Sequence, residues 1–248
     1  MHILTGIRPT GRMHIGHYFS VIKPALDFDA TVLIAEFHAP KSLPEEVDKM
    51  VETLNRFRVP MNHIAFQSEE FNATLYFRLL SIARVGELER MTQYQSAGDD
   101  NDAHLLVYPV LMVHDVVGYD QICVGEDQAQ HLNYARDLIE RYNRIFNQNE
   151  KLPEPRIVGG RIMSLSDPTK KMSKSEPDGC LFLDDSPMEI DRKITAAVMD
   201  EEGRKNLISL YYDLNGAGPI PLMNSEFKPM VTEKLVSLLH KKTDATHV

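Results

Sequence analysis

The chain has 248 residues, 43% hydrophobic and 25% charged, with 27 Lys and Arg against 36 Asp and Glu and a formal net charge of -9. This composition suits one large folded domain, or one domain with a smaller attachment, and excludes a disordered or collagen-like chain. The acidic balance argues against a protein that coats nucleic acid by bulk charge, and it leaves room for a local basic track that docks one RNA.

Cys123 and Cys180 are the only cysteines and lie far apart, so neither a disulfide framework nor a Cys-x-x-Cys zinc site is expected. No apolar run approaches the ~18 residues of a membrane span. The opening MHILTGIRPTGR lacks a signal-peptide core. A reducing cytoplasmic setting, with no membrane partner, is the expectation.

Ile3-Leu4 begins a strand that runs into Gly6, Pro9 and Gly11, a turn-forming stretch. A helical run from Met13 is interrupted by Pro24 and precedes Ala30 to Phe37, an apolar run of strand length. Ser42 and Pro44 open the helix EEVDKMVETLNRF, and His63 to Phe66 is a third short strand. Helices are expected over Leu75 to Arg84 and Gly86 to Tyr94, then a polar break, QSAGDDNDAH. Leu105 to Val117 is apolar nearly all round and reads as a buried helix, with Pro109 near its start.

Gln121 to Gly125 is a strand, and the amphipathic run after it places Leu132, Ala135, Leu138, Ile139, Tyr142 and Ile145 at helical spacing. A Pro-rich break, KLPEPRIVGG, precedes a polar Lys-rich loop over residues 168–178. Helices are expected around Met188 to Val198, Arg204 to Tyr212 and Phe227 to His240. Strand, crossover helix and strand in succession imply an α/β fold: a Rossmann-type parallel sheet over residues 1–180, followed by a small all-helical domain over 181–248.

Two short strings carry chemistry. His14-Ile15-Gly16-His17 follows the first strand and puts two imidazoles three residues apart on one face of a helix start. There, ring donors and free backbone N–H groups are expected to face an anion, with Gly16 leaving room for it. Lys171-Met172-Ser173-Lys174-Ser175 places two ammonium groups on a loop able to close over phosphates.

These strings resemble the HIGH and KMSKS signatures of class I aminoacyl-tRNA synthetases. GELERMTQY (Gly86 to Tyr94), YPVLM (Tyr108 to Met112), VGEDQ (Val124 to Gln128) with His131, and GRIMSLSDPTKKMSKS (Gly160 to Ser175) look like the tryptophanyl branch in particular. The resemblance runs from Ile3 to about Lys228. It implies activation of L-tryptophan by ATP, with Mg²⁺ arriving on the nucleotide, transfer to tRNA(Trp), and a homodimer whose interface lies around Tyr76 to Tyr94. Adenylate formation needs no protein nucleophile, because the substrate carboxylate is already one; the protein positions reactants and stabilises charge on phosphate oxygens.

Carried over by motif, His14, His17, Lys171 and Lys174 would be catalytic. Arg8, Thr10, Gly16, Gly125 and Asp127 would bind ATP, together with Ser173 and the backbone of Ile162 and Met172 beside adenine. Gln128 and Tyr108 would hold the substrate ammonium, and Asp115 would accept the indole N–H. Met112, Val124, Ile122, Leu4, Gly6 and His38 would line the ring pocket. An aspartate left unpaired by phenylalanine would reject it. No protein metal site is expected. His38 also reads as a satisfied strand-end histidine, and Met112 as plain core.

Three departures from the family pattern stand out. Arg8 occupies a place where bacterial relatives usually carry glutamine, YQSAGDD follows MTQ in place of phosphate-binding lysines, and only about twenty residues follow Lys228. Arg8 is expected to supply the missing charge. Anticodon reading is expected to be reduced, or rebuilt from the segment after Asp185. A tyrosyl-type or shortened paralogue and a non-catalytic RNA-binding or regulatory homologue are the rival readings; the intact His14, His17, Lys171 and Lys174 count against the last.

Overall fold

Five short strands pair side by side in one parallel sheet: β1 (Ile3–Ile7), β2 (Thr31–Ile34), β3 (Ile64–Phe66), β4 (Gln121–Val124) and β5 (Glu154–Ile157), in the order β3-β2-β1-β4-β5. The structure is a computed structural model that describes residues 1–98, 101–125, 128–160, 162–216 and 225–240. β1 and β2 are buried almost throughout, as strands covered on both faces must be. Leu4 sits beside Thr31 on one side and Ile122 on the other. Strand order reverses between β1 and β4, and the crevice outside the carboxyl ends of such a sheet is where ligands bind.

The chain forms two compact units, one of Met1–Gly11 with Ser20–Val158, the other of Arg12–Phe19 with the chain from Gly159 onward. This division differs from the sequence-based boundary at 180/181. The reason is backbone pairing: Ile15 donates to the Leu181 carbonyl at 2.8 Å, and Leu183 donates to that of Met13 at 2.9 Å. His14 thereby forms an antiparallel bridge with Phe182.

In the first unit, α3 (Pro44–Arg56) starts on Pro44, whose missing N–H costs nothing in a first turn. α5 (Ala73–Ile82) packs on α8 (Ala103–Val116) and α9 (Ala129–Phe146). Leu79, Val110, Val113, Leu138 and Ile139 form their shared core with Leu4 and Ile122 of the sheet. Of the apolar residues at helical spacing along α9, Ile145 is left exposed. Asp102, in the stretch read as a polar break, caps α8 by accepting the Leu105 N–H at 2.7 Å. Pro109 lies well inside that helix.

The single helix expected over Gly86 to Tyr94 is two, α6 (Val85–Leu88) and α7 (Thr92–Ala97), because the chain turns extended at Met91 and buries that side chain. Glu87 anchors α6 to α9 through a forked pair with Arg141 at 2.8 and 3.0 Å, which holds its carboxyl below the usual range. The Pro-rich break contains edge strand β5. Glu154 and Val158 donate to the Asp120 and Val124 carbonyls, so the nitrogen of Pro155 between them faces away from the ladder.

The second unit holds α10 (Pro187–Ala196), α11 (Glu201–Asn215) and α12 (Phe227–Leu239), with α12 packed on both of the others. Ser186 and Glu189 close a capping box on α10. Beneath it lies a buried ion pair, Lys193 to Asp185 at 2.6 Å; Lys193 also donates to the Cys180 carbonyl at 2.8 Å. Arg12 forks onto Asp184 at 2.7 Å, reaches Asp185 at 3.2 Å, and stacks 3.9 Å over the Phe182 ring.

Breaking a buried pair leaves a stranded charge. Lys193→Met is therefore expected to lower unfolding stability by about 3–5 kcal/mol, read by urea denaturation. An Arg192→Met change, on an exposed neighbour, is expected to cost under about 1 kcal/mol.

Candidate active site

His14 is the N-cap of α1 (Ile15–His17), a turn that continues through a π-helical segment, Tyr18–Ile22, into α2 (Lys23–Phe28). Its extended backbone turns its ring over the helix start, where Nδ1 accepts the Gly16 N–H at 3.1 Å. His17 reaches back, and its Nδ1 accepts the His14 N–H at 3.0 Å. The two rings lie 3.9 Å apart, tilted by 49°. With each Nδ1 acting as acceptor, the proton of each neutral imidazole sits on Nε2, ready to donate.

Both rings are held neutral. Burial, then the charges of Lys174 and Lys171, lower His14 to about 4. Burial, His14 and the same two lysines hold His17 well below its ordinary value. The ammonium groups of the second string are thus felt electrostatically at both imidazoles of the first.

The free backbone donors expected here are occupied. Ile15 donates to Leu181, Gly16 to His14 Nδ1 and His17 to the His14 carbonyl. Gly16 is required first by the His14 ring: a Cβ at this position would lie 2.8 Å from His14 Cε1. An anion at this place is therefore met by side-chain donors.

The lysine loop is braced by a short antiparallel pairing, in which Met172 donates to the Ile162 carbonyl at 3.0 Å and Ser164 to that of Lys170 at 2.8 Å. Ile162 and Met172 are buried. Asn206 of α11 serves the outer edge as a strand neighbour would, accepting the Met163 N–H and donating to the Met163 carbonyl, each at 3.0 Å. Asp167 gathers Thr169 and Lys170, and the Ser173 and Ser175 hydroxyls pair at 2.9 Å.

In the first unit, Asp115 stands on α8 with its side chain 7% exposed. Gln67 Nε2 donates to both of its oxygens, at 2.9 and 2.7 Å. His38 Nε2 lies 2.9 Å from one oxygen, and His114 Nδ1 lies 3.1 Å from the other. Burial alone would raise its pKa, yet the hydrogen bonds from His114, His38 and Gln67 outweigh burial and hold it below the usual value.

The carboxylate therefore already accepts from three nitrogens within the protein, so rejection of phenylalanine does not come from an orphaned aspartate. Within this network, the acceptor that lacks a donor among the described residues is Nδ1 of buried His38. His38 packs edge-on against Tyr108 at 4.5 Å.

Leu4, Ile122 and Val124 are core residues of one cluster, and Met112 is half-buried. Gly6 is open, with nothing within 4 Å of a Cβ built on it. Arg8 and Thr10 are exposed just past β1, and Gln128 caps α9 with its N–H on the Gly125 carbonyl at 3.0 Å. Asp127 lies outside the described residues. Among the described residues no three His, Cys, Asp or Glu side chains gather as a metal site.

Sequence reasoning missed Gln67, His114 and Asn206. Gln67 had a signal, since it directly follows the carboxyl end of β3. His114 had its place next to Asp115 as a signal, whereas Asn206 had none, because its partner Met163 lies 43 positions away.

A histidine whose folded pKa is depressed costs stability where only the unfolded chain is protonated. Stability is therefore expected to fall as pH drops from about 6.5 to about 4, by roughly 3 kcal/mol for His14. His14→Asn keeps the cap and removes the titration, so its denaturation curves are expected to show that much less loss across the same range.

A family model described as tRNA synthetases class I (W and Y) matches residues 1–217. The tryptophan–tRNA ligase of Bacillus anthracis is 36% identical over 248 residues, covering 86% of this chain and 75% of that protein. That of Oceanobacillus iheyensis is 39% identical over 224 residues, covering 81% of this chain and 68% of that protein. The crystal structure of tryptophanyl-tRNA synthetase from Mycoplasma pneumoniae aligns with a TM-score of 0.82 at 27% identity, over 96% of this chain and 85% of that one. The Campylobacter jejuni enzyme complexed with ADP and tryptophan aligns at 0.72 and 26%, over 97% and 86%. The chain belongs to the class I tRNA synthetases of the W and Y family.

Proposed function

We propose that this chain is a tryptophan–tRNA ligase. An oxygen of the L-tryptophan carboxylate attacks the α-phosphorus of ATP, the bond to the bridging oxygen breaks, and pyrophosphate leaves. The tryptophanyl group then passes from AMP to the terminal ribose of tRNA(Trp). The observation that carries this reading is the pair of neutral imidazoles, His14 and His17, sharing one compact unit with Lys171 and Lys174 and feeling their charge.

Negative charge moves onto phosphate oxygens as pyrophosphate departs. The Nε2–H groups and ammonium groups meet that charge without requiring a proton transfer. Mg²⁺ belongs to this reading as the counterion of the triphosphate, where it neutralises phosphate charge. Arg8, Thr10, Gly125 and Asp127 are assigned to ATP with Gly16, Ile162, Met172 and Ser173. Asp115, with His38, Tyr108, Gln128 and the apolar Leu4, Met112, Ile122 and Val124 beside Gly6, is assigned to tryptophan.

The assembly we assign is a homodimer. Phe77 and Val85 are 63% and 58% exposed, and a groove of about 450 Å³ is lined by Ala73, Phe77, Arg78 and Phe146. A large apolar side chain this open on a helix face suits a second copy. A cytoplasmic setting goes with the reading, in keeping with two buried cysteines that carry no disulfide. No helix among the described residues is long and apolar enough to cross a membrane.

Purified protein is expected to catalyse ATP–pyrophosphate exchange with tryptophan and not with tyrosine, and to charge tRNA(Trp). Exchange with tyrosine would move the amino-acid assignment, and no exchange would remove the ligase reading. Lys174→Ala is expected to lower kcat by ~10²- to 10³-fold with little change in the tryptophan KM. Sedimentation of the unmodified chain is expected to show a dimer, and Phe77→Asp a monomer.

A further inference from the structure

The Asp115 carboxylate does not hold its orientation by itself. Gln67 is 1% exposed, and its side chain is clamped at both ends. The Phe37 N–H donates to its Oε1 at 2.8 Å, and its Nε2 donates to both Asp115 oxygens at 2.9 and 2.7 Å. The amide cannot be reversed, because a backbone N–H can only donate and a carboxylate can only accept. A flipped amide would set two donors and three oxygens against each other.

The same turn, Glu36–His38, carries His38, whose Nε2 takes the outer oxygen at 2.9 Å. On the opposite side, His114 Nε2 accepts the Asn72 N–H at 3.0 Å, so its proton is on Nδ1 and points to Asp115. Of the three donors, Gln67 alone touches both carboxylate oxygens, and it also accepts the Phe37 N–H of the turn that carries His38.

We propose that Gln67 is a positioning residue for amino-acid selection: it holds the Asp115 carboxylate in one orientation, in register with the His38 turn, so that the indole N–H meets a fixed acceptor. The inference rests on the reading above that Asp115 accepts the indole N–H. Gln67 acts through Asp115. Losing its amide lets the carboxylate rotate or protonate, which removes the distinction between a ring that donates and one that cannot.

The test compares L-tryptophan with β-(benzothiophen-3-yl)-L-alanine, an isostere with sulfur in place of the N–H, by kcat/KM in pyrophosphate exchange. The unmodified enzyme is expected to prefer tryptophan by ~10- to 100-fold, the range for one hydrogen bond to a charged group. Gln67→Met is expected to lower that preference about tenfold, through a higher tryptophan KM, with the ATP KM unchanged.

Gln67→Glu supplies a carboxyl that, protonated, can still donate to Asp115 while accepting from Phe37. Its preference is expected near pH 6 and lost toward about pH 8.5, as two adjacent carboxylates repel. A preference unchanged in both variants, with both substrates weakened equally, would overturn the positioning role and leave the Asp115 assignment standing. No preference in the unmodified enzyme would overturn both.

Discussion

The first turn of the HIGH string is organised by backbone donors that lack acceptors within the helix. His14 and His17 use their Nδ1 atoms to accept the N–H groups of Gly16 and His14, while Ile15 gives its own to Leu181. The rest of the site follows. Each imidazole has one proton left, on Nε2. Gly16 has no space for a side chain beneath the His14 ring, and charge recognition passes from the backbone to side chains. Burial and the neighbouring lysines keep both rings uncharged, so they act as fixed donors throughout the neutral pH range.

The first unit solves a different problem, that of keeping a charge inside a protein. Asp115 is buried and ionised because three side chains from three elements supply donors to both of its oxygens. Such a network is costly when incomplete, and this one gives each carboxylate oxygen protein donors while, among the described residues, leaving His38 Nδ1 without one. Selectivity for a ring that donates a hydrogen bond then resides in a shaped polar surface, and no single unpaired atom accounts for it.

The fold was legible wherever a local pattern had one solution. The apolar run before His38, the amphipathic helix from Leu132 and the helix start at Pro44 depend on residues within a few positions of each other. β5 was hidden because two prolines look like a break until an edge position removes the need for their donors. The bend at Met91 lies in a run without a clean apolar period, and the cap at Asp102 lies in a polar run in which several residues could cap equally well. At the site, the two signature strings stood out by residue type and order. Gln67 and Asn206 did not, because their partners Asp115 and Met163 lie at least forty positions away; His114 adjoins Asp115, but the Asn72 N–H that fixes its proton toward that carboxylate is distant in the chain.

The pairing of Met13 and Ile15 with Leu181 and Leu183 has a consequence for how such a molecule can be rearranged. The segment bearing one signature is stitched, strand to strand, onto the later part of the chain that bears the other. A gene cut near Gly159 would give two halves, neither holding the whole phosphate-binding apparatus. The later half would also expose an unpaired edge at 181–183. Swapping the C-terminal half between relatives would meet the same seam, so exchange by recombination must carry residues 12–19 along with it.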